Sequence, residues 1–157
     1  MAASNPLSAK GPHFTPNSKL VLTRIFDAPR DVVFRVWTDP KHVALWWGPH
    51  GFATTIHEMD VRPGGAWCYS MRGPDGKDYP FNGEYVEVVE PERLVFDGTI
   101  HSDPSQGVWT KVIFTEQEGK TKVTVHQVYS FDSPAVHGAP IGWNQQMDRL
   151  TSYLAKL

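Results

Sequence analysis

The stretch Ile141-Gly142-Trp143-Asn144-Gln145-Gln146-Met147-Asp148-Arg149-Leu150-Thr151-Ser152-Tyr153-Leu154 decides how the rest of the chain must fold. Trp143, Met147, Leu150 and Leu154 stand at i, i+4, i+7 and i+11, which puts them on one stripe of an α-helix. With Pro140 in its first turn, the helix is about 16 residues, or ~24 Å long. A helix with a single apolar stripe must lay that stripe on something. The chain before it supplies a sheet.

From Phe52 onward, short β-type runs alternate with turn residues. The pattern predicts strands over 52–61, 66–72, 79–89, 94–101, 108–116 and 121–131. Arg62-Pro63-Gly64-Gly65 suits a type II turn, in which Pro presets φ at the first central position and Gly supplies positive φ at the second. Connections this short allow only antiparallel neighbours, since a parallel return needs a long crossover. The six runs therefore form a meander. Ahead of them, 19–26 reads as a first strand. Ala28-Pro29 then opens a short helix over 30–37, and Thr38-Asp39-Pro40 opens a second over 41–46. A curved antiparallel sheet with one apolar concave face, covered by the terminal helix, is the α+β arrangement this order favours. Such a grip can leave space between helix and sheet.

The 157 residues carry 15 Lys+Arg against 17 Asp+Glu, a formal charge of −2. That balance argues against nucleic-acid binding, which needs a basic face. Apolar residues make up 40% and aromatics 12%, with six Trp. There is no apolar run of the roughly 18 residues a membrane span requires. The first residues show no basic patch followed by an apolar stretch, so no signal peptide is expected. The single Cys68 excludes an internal disulfide, and a cytoplasmic location is the default. Residues 1–17, with Pro6, Gly11, Pro12 and Pro16, read as a flexible tail before one domain at 18–157.

Arg24-x-Phe26-x-Ala28-Pro29, Val36-Trp37-Thr38-Asp39-Pro40, Trp46-Trp47-Gly48-Pro49, Asp60-x-Arg62-Pro63-Gly64-Gly65, Pro91-Glu92-Arg93-Leu94 and Gly142-Trp143 with Leu150 occur in this order. Together they resemble the bacterial Aha-type proteins, relatives of the activator of heat-shock protein 90 ATPase, in the START-like (SRPBCC) helix-grip superfamily. The resemblance covers about residues 19–157. It implies a seven-stranded antiparallel sheet around a long C-terminal helix, with two short helices between strands 1 and 2. It implies no single activity, because relatives include hydrophobic-ligand carriers, polyketide cyclases, a toxin-sequestering protein and a co-chaperone domain. The co-chaperone normally carries a further N-terminal domain with no counterpart here, so heat-shock protein 90 is the last-ranked partner.

Within such a grip, period two puts Trp67, Tyr69 and Met71 on one face of their strand, a wall suited to a flat apolar ligand. Phe81 and Tyr85 share a face, as do Leu94 and Phe96. Gln127 falls on the same face as Val123, Val125 and Tyr129, and as an inward polar group it needs a partner; a neighbouring hydroxyl is favoured over a ligand. Trp143 and Met147 come from the terminal helix. Trp46 and Trp47 stand at a helix end, where they either plug the core or line the mouth of a cavity. Trp46, Trp47, Trp67, Tyr69, Met71, Phe81, Tyr85, Phe96, Gln127, Trp143 and Met147 are the eleven candidate residues for a hydrophobic or aromatic small molecule, the first-ranked function. For each, ordinary core packing is the competing explanation.

A cyclase- or hydrolase-type enzyme ranks second and would draw acid–base groups from His57, Glu58, His126 or Gln127. The seven His are scattered and show no ligand spacing, so neither a metal nor any other cofactor is expected. No serine lies in a nucleophile elbow, so no catalytic residue is assigned. A co-chaperone-like interaction module ranks third. An exposed edge strand could also pair with its copy, giving a homodimer.

Overall fold

A computed structural model describes residues 11–157; residues 1–10, most of the expected tail, lie outside the described residues. The elements run β1 (Ser18–Phe26), α1 (Arg30–Thr38), α2 (Pro40–Trp46), β2 (Ala53–Met59), β3 (Ala66–Arg72), β4 (Asp78–Val89), β5 (Arg93–Ile100), β6 (Gly107–Gln117), β7 (Lys120–Tyr129) and α3 (Pro134–Leu154). All seven strands form one antiparallel sheet in the order β1-β7-β6-β5-β4-β3-β2. The meander is therefore as the turns require, and β1 closes its far side against β7, with Leu20 opposite Gln127. This is the helix-grip fold.

The turns behave as their residues dictate. Gly65 N–H donates to the Arg62 carbonyl at 2.8 Å, and Gly64 has φ +83°, the geometry of a type II turn. Asp39 caps α2 by accepting from the Lys41 N–H at 2.9 Å, with Pro40 in the first turn. Pro29 stands at the N-cap of α1.

One boundary differs from the sequence expectation. Helix α3 begins at Pro134, not near Pro140, and is 21 residues long. Ser133 caps it by accepting from the Val136 N–H at 3.3 Å. Pro140 lies inside the helix with its side chain exposed, where it removes only one backbone hydrogen bond. The early start adds about 9 Å of helix over the sheet.

The core fills one end of the grip. Val33, Phe34, Val36 and Trp37 of α1 and Val43 and Trp46 of α2 pack against Val112, Phe114, Val123 and Val125 of the sheet. Met147 and Leu150 of α3 close this cluster from above. The Trp37 and Trp46 rings meet edge to face at 4.9 Å, and Trp37 meets Phe114 at 5.8 Å. On the opposite face of the sheet, Val95, Trp109 and Val128 form a small second cluster, against which Phe14 packs. His13 reaches Asp97 there at 3.3 Å, so residues 13 and 14 rest on the sheet.

Candidate functional site

The other end of the grip is open. A cavity of about 420 Å³ lies between the concave sheet and the N-terminal half of α3. Its floor is the aromatic wall of β3 and its neighbours. Tyr69 stacks on Phe81 at 5.1 Å and 16°, directly opposite it in the β3–β4 register. Trp67 stacks on Tyr69 at 5.6 Å and meets Phe96 at 5.9 Å. Trp67 can lie flat because Gly83 and Gly98 occupy the positions beside it in one row across β4 and β5. A Cβ on either glycine would come within 2.6 Å of the indole.

Small residues on the helix keep the space open. Ala135, Gly138, Ala139 and Gly142 line the cavity at helical spacing, before the stripe turns large at Trp143. Pro49, Phe52, Tyr79 and His101 come from loops and strand ends. Ala135, Gly138 and Ala139 lie before the start near Pro140 that the sequence suggests, so the spacing does not place them on the helix, and Gly142 carries no side chain to draw notice. The signal was present: Ser133-Pro134 is a start motif, followed by small residues at i, i+3/i+4 and i+7.

Eight of the eleven sequence-selected residues line this cavity: Trp47, Trp67, Tyr69, Met71, Phe81, Phe96, Gln127 and Trp143. Three do not. Trp46 is fully buried and donates from Nε1 to the Val36 carbonyl at 2.9 Å, so it is a core plug. Met147 is also fully buried, within the filled end. Tyr85 faces a separate space of about 40 Å³ farther along the sheet.

Gln127 finds neighbours. Its Nε2 donates to Thr110 Oγ1 at 2.9 Å, and its Oε1 accepts from Trp143 Nε1 at 2.8 Å and from the Tyr129 hydroxyl. The network ties β6, β7 and α3 together at the cavity's polar end. Burial pushes the Tyr129 and Tyr69 phenols above their usual value, although hydrogen bonding from Trp143 and Trp47, respectively, works in the opposite direction.

Helix α3 also clamps the loop that carries Trp47. Gly48 N–H donates to Gln146 Oε1 at 2.9 Å, and His50 N–H to Gln145 Oε1 at 3.2 Å. The Arg149 guanidinium donates to the carbonyls of Trp47, Gly48, Pro49 and Phe52 at 3.0–3.3 Å, and to that of Leu45 at 3.3 Å. A cation here suits the C-terminal end of α2. Burial lowers the Arg149 pKa.

The acid–base candidates do not share one cavity: Gln127 lines the large one and His57, Glu58 and His126 do not. His57 Nε2 sits 3.0 Å from Ser70 Oγ, and both are absent from the cavity lining. Glu58 lines the small space beside Tyr85. His126 lies opposite Lys111 and Val21, where burial and the Lys111 charge lower its pKa. Among the described residues, no group of three or more His, Cys, Asp or Glu could hold a metal ion. None of their helices is long and apolar enough to cross a membrane.

Comparison with known proteins places this geometry. The family described as "Activator of Hsp90 ATPase homolog 1-like protein" matches residues 27–155. The chain belongs to the activator of Hsp90 ATPase homolog 1-like family. Its START-like fold is of the ligand-binding type. Among solved structures, protein CV1439 from Chromobacterium violaceum is 25% identical, with a TM-score of 0.80 over 85% of this chain and 94% of that one. Protein Ms6760 from Mycobacterium smegmatis is 26% identical, with a TM-score of 0.76 over 87% and 90%. The AHSA1 protein SPO3351 from Silicibacter pomeroyi shares the fold at 22% identity, with a TM-score of 0.77 over 88% and 98%. No curated protein matches the chain.

Proposed function

We propose that this member of the activator of Hsp90 ATPase homolog 1-like family binds a hydrophobic or aromatic small molecule in the cavity between the sheet and α3, as a carrier, sensor or sequestering protein. The observation that carries the proposal is the cavity of about 420 Å³ walled by stacked rings of β3 and β4, under a helix face of Ala and Gly. A cavity of that size falls in the range of small-molecule sites, roughly 300–1,000 Å³. Gln127, the acid–base candidate that lines this cavity, is held by Thr110, Tyr129 and Trp143, which favours binding over catalysis.

A thermal-shift screen against aromatic, fatty-acid and polyketide-like compounds tests the proposal. A ligand at about 100 times its Kd adds ~2.7 kcal/mol. The proposal expects a reproducible rise in Tm that Phe81→Asp abolishes, while a conservative change in the filled end, Met147→Leu, keeps it. A flat response across the library contradicts it.

A further inference from the structure

Gln146 stands in the middle of α3, 5% exposed, and lines the cavity. Its Oε1 accepts from the Gly48 N–H at 2.9 Å. A backbone N–H can only donate, so the amide oxygen must face Gly48 and the orientation of the amide is fixed. The Nε2 is then left buried with no partner. A buried donor without an acceptor costs about 1–3 kcal/mol, a cost that a ligand atom can remove. Among the described residues, three buried side-chain N or O atoms lack partners: Trp37 Nε1, Trp67 Nε1 and Gln146 Nε2. All three are donors, and Trp67 and Gln146 both line this cavity. The side-chain amide oxygen of Gln127, which also lines the cavity, already accepts from Tyr129 and Trp143. No Asp, Glu, Lys or Arg is among the lining residues, and the one lining imidazole, His101, is exposed, so a ligand charge buried deeper would go unpaired. The parallel rings of Tyr69 and Phe81 favour a flat molecule.

We infer that the ligand is a neutral, flat aromatic molecule bearing a carbonyl oxygen, which accepts a hydrogen bond from Gln146 Nε2. The inference rests on the reading that this cavity binds an apolar small molecule.

Two probes separate the inference from that reading. 9-Fluorenone and fluorene share one tricyclic frame and differ by a carbonyl in place of a methylene. Their Kd values are measured by calorimetry for the wild type, Gln146→Met and Gln146→Glu. Gln146→Glu, measured at about pH 9 so that the carboxyl is ionised, keeps an oxygen toward Gly48 and replaces the donor by an acceptor, so it decides the question if Gln146→Met fails to fold. The expected result is that the ratio of fluorene Kd to fluorenone Kd falls about tenfold in Gln146→Met and at least as far in Gln146→Glu, with fluorene affinity kept within about threefold. An unchanged ratio, with both compounds still bound, overturns the carbonyl inference and leaves the cavity reading standing. Failure of the wild type to bind either compound overturns both.

Discussion

The two ends of the grip are both rich in aromatic rings, yet one is filled and the other hollow. At the filled end, α1 and α2 push Phe34, Trp37 and Trp46 between the sheet and α3, and the helix answers with Met147 and Leu150. At the hollow end, the sheet presents Trp67, Tyr69 and Phe81, and the same helix answers with Ala135, Gly138, Ala139 and Gly142. Aromatic content therefore does not mark a binding site. The residues facing the rings decide whether they become core or wall. A ring against empty space lacks contact partners on one side, so a wall is held less tightly than a core.

The comparison is broken most directly by truncation. Trp46→Ala should destabilise the protein by about 3–5 kcal/mol in urea unfolding. Phe81→Ala, at the wall, should cost less than half as much. Equal losses would mean that the hollow end is as well packed as the filled one. Next in size is Gly98→Ala, which drives a Cβ to 2.6 Å from the Trp67 ring and 2.2 Å from the Asn82 carbonyl. It should cost about 1–3 kcal/mol and change the Trp67 fluorescence; an unaltered spectrum would show that the indole does not lie across the glycine row. The smallest effect has the opposite sign. A Cβ at Gly138 meets nothing within 4 Å, so Gly138→Ala should stabilise the helix by roughly 0.5–1 kcal/mol, read from the urea midpoint.

Alkaline pH probes the hollow end without mutation. Tyr69 and Tyr129 at the hollow end and Tyr85 beside the small space all have phenol pKa values raised above 10.0, chiefly by burial. The folded state then holds protons that the unfolded state releases. Their contribution is complete below about pH 10 and is lost as the pH rises further. The urea midpoint should be level up to about pH 9 and fall steeply above 10, less steeply in Tyr85→Phe. A midpoint that stays level to pH 11 would mean that these phenols are not buried.

Much of the fold can be read from the sequence because its signals are local. Period-two alternation and the turn at Arg62–Gly65 place strand and register together, and Asp39-Pro40 starts α2 where it should. The partnership of β1 with β7 has no local signal; the family resemblance supplied only the count of seven strands, and the pairing comes from the structure. Pro140 misled for a physical reason: proline is a start residue, and here its exposed position lets the helix run through it. At the site, alternation sufficed for Trp67, Tyr69 and Met71, all on one strand. It could not separate Trp46 from Trp47, because period two does not hold at a helix end, where consecutive residues are about 100° apart and these two rings touch at 5.2 Å. Nor could it exclude Met147, which shares its stripe with Trp143 but lies at the filled end. Tyr85 shares the face of Phe81 but stands four residues, or about 13 Å, along the strand.

If small helix residues leave the hollow end free for a ligand, filling that space must abolish binding. Calorimetry and thermal shift with 9-fluorenone on the wild type and on Ala139→Trp test it together. The wild type should bind saturably, with a rise in Tm of roughly 5–10 °C at about 100 times the Kd. Ala139→Trp should fold with an undiminished Tm and lose both. Equal binding to the filled variant, or none to the wild type, would contradict it.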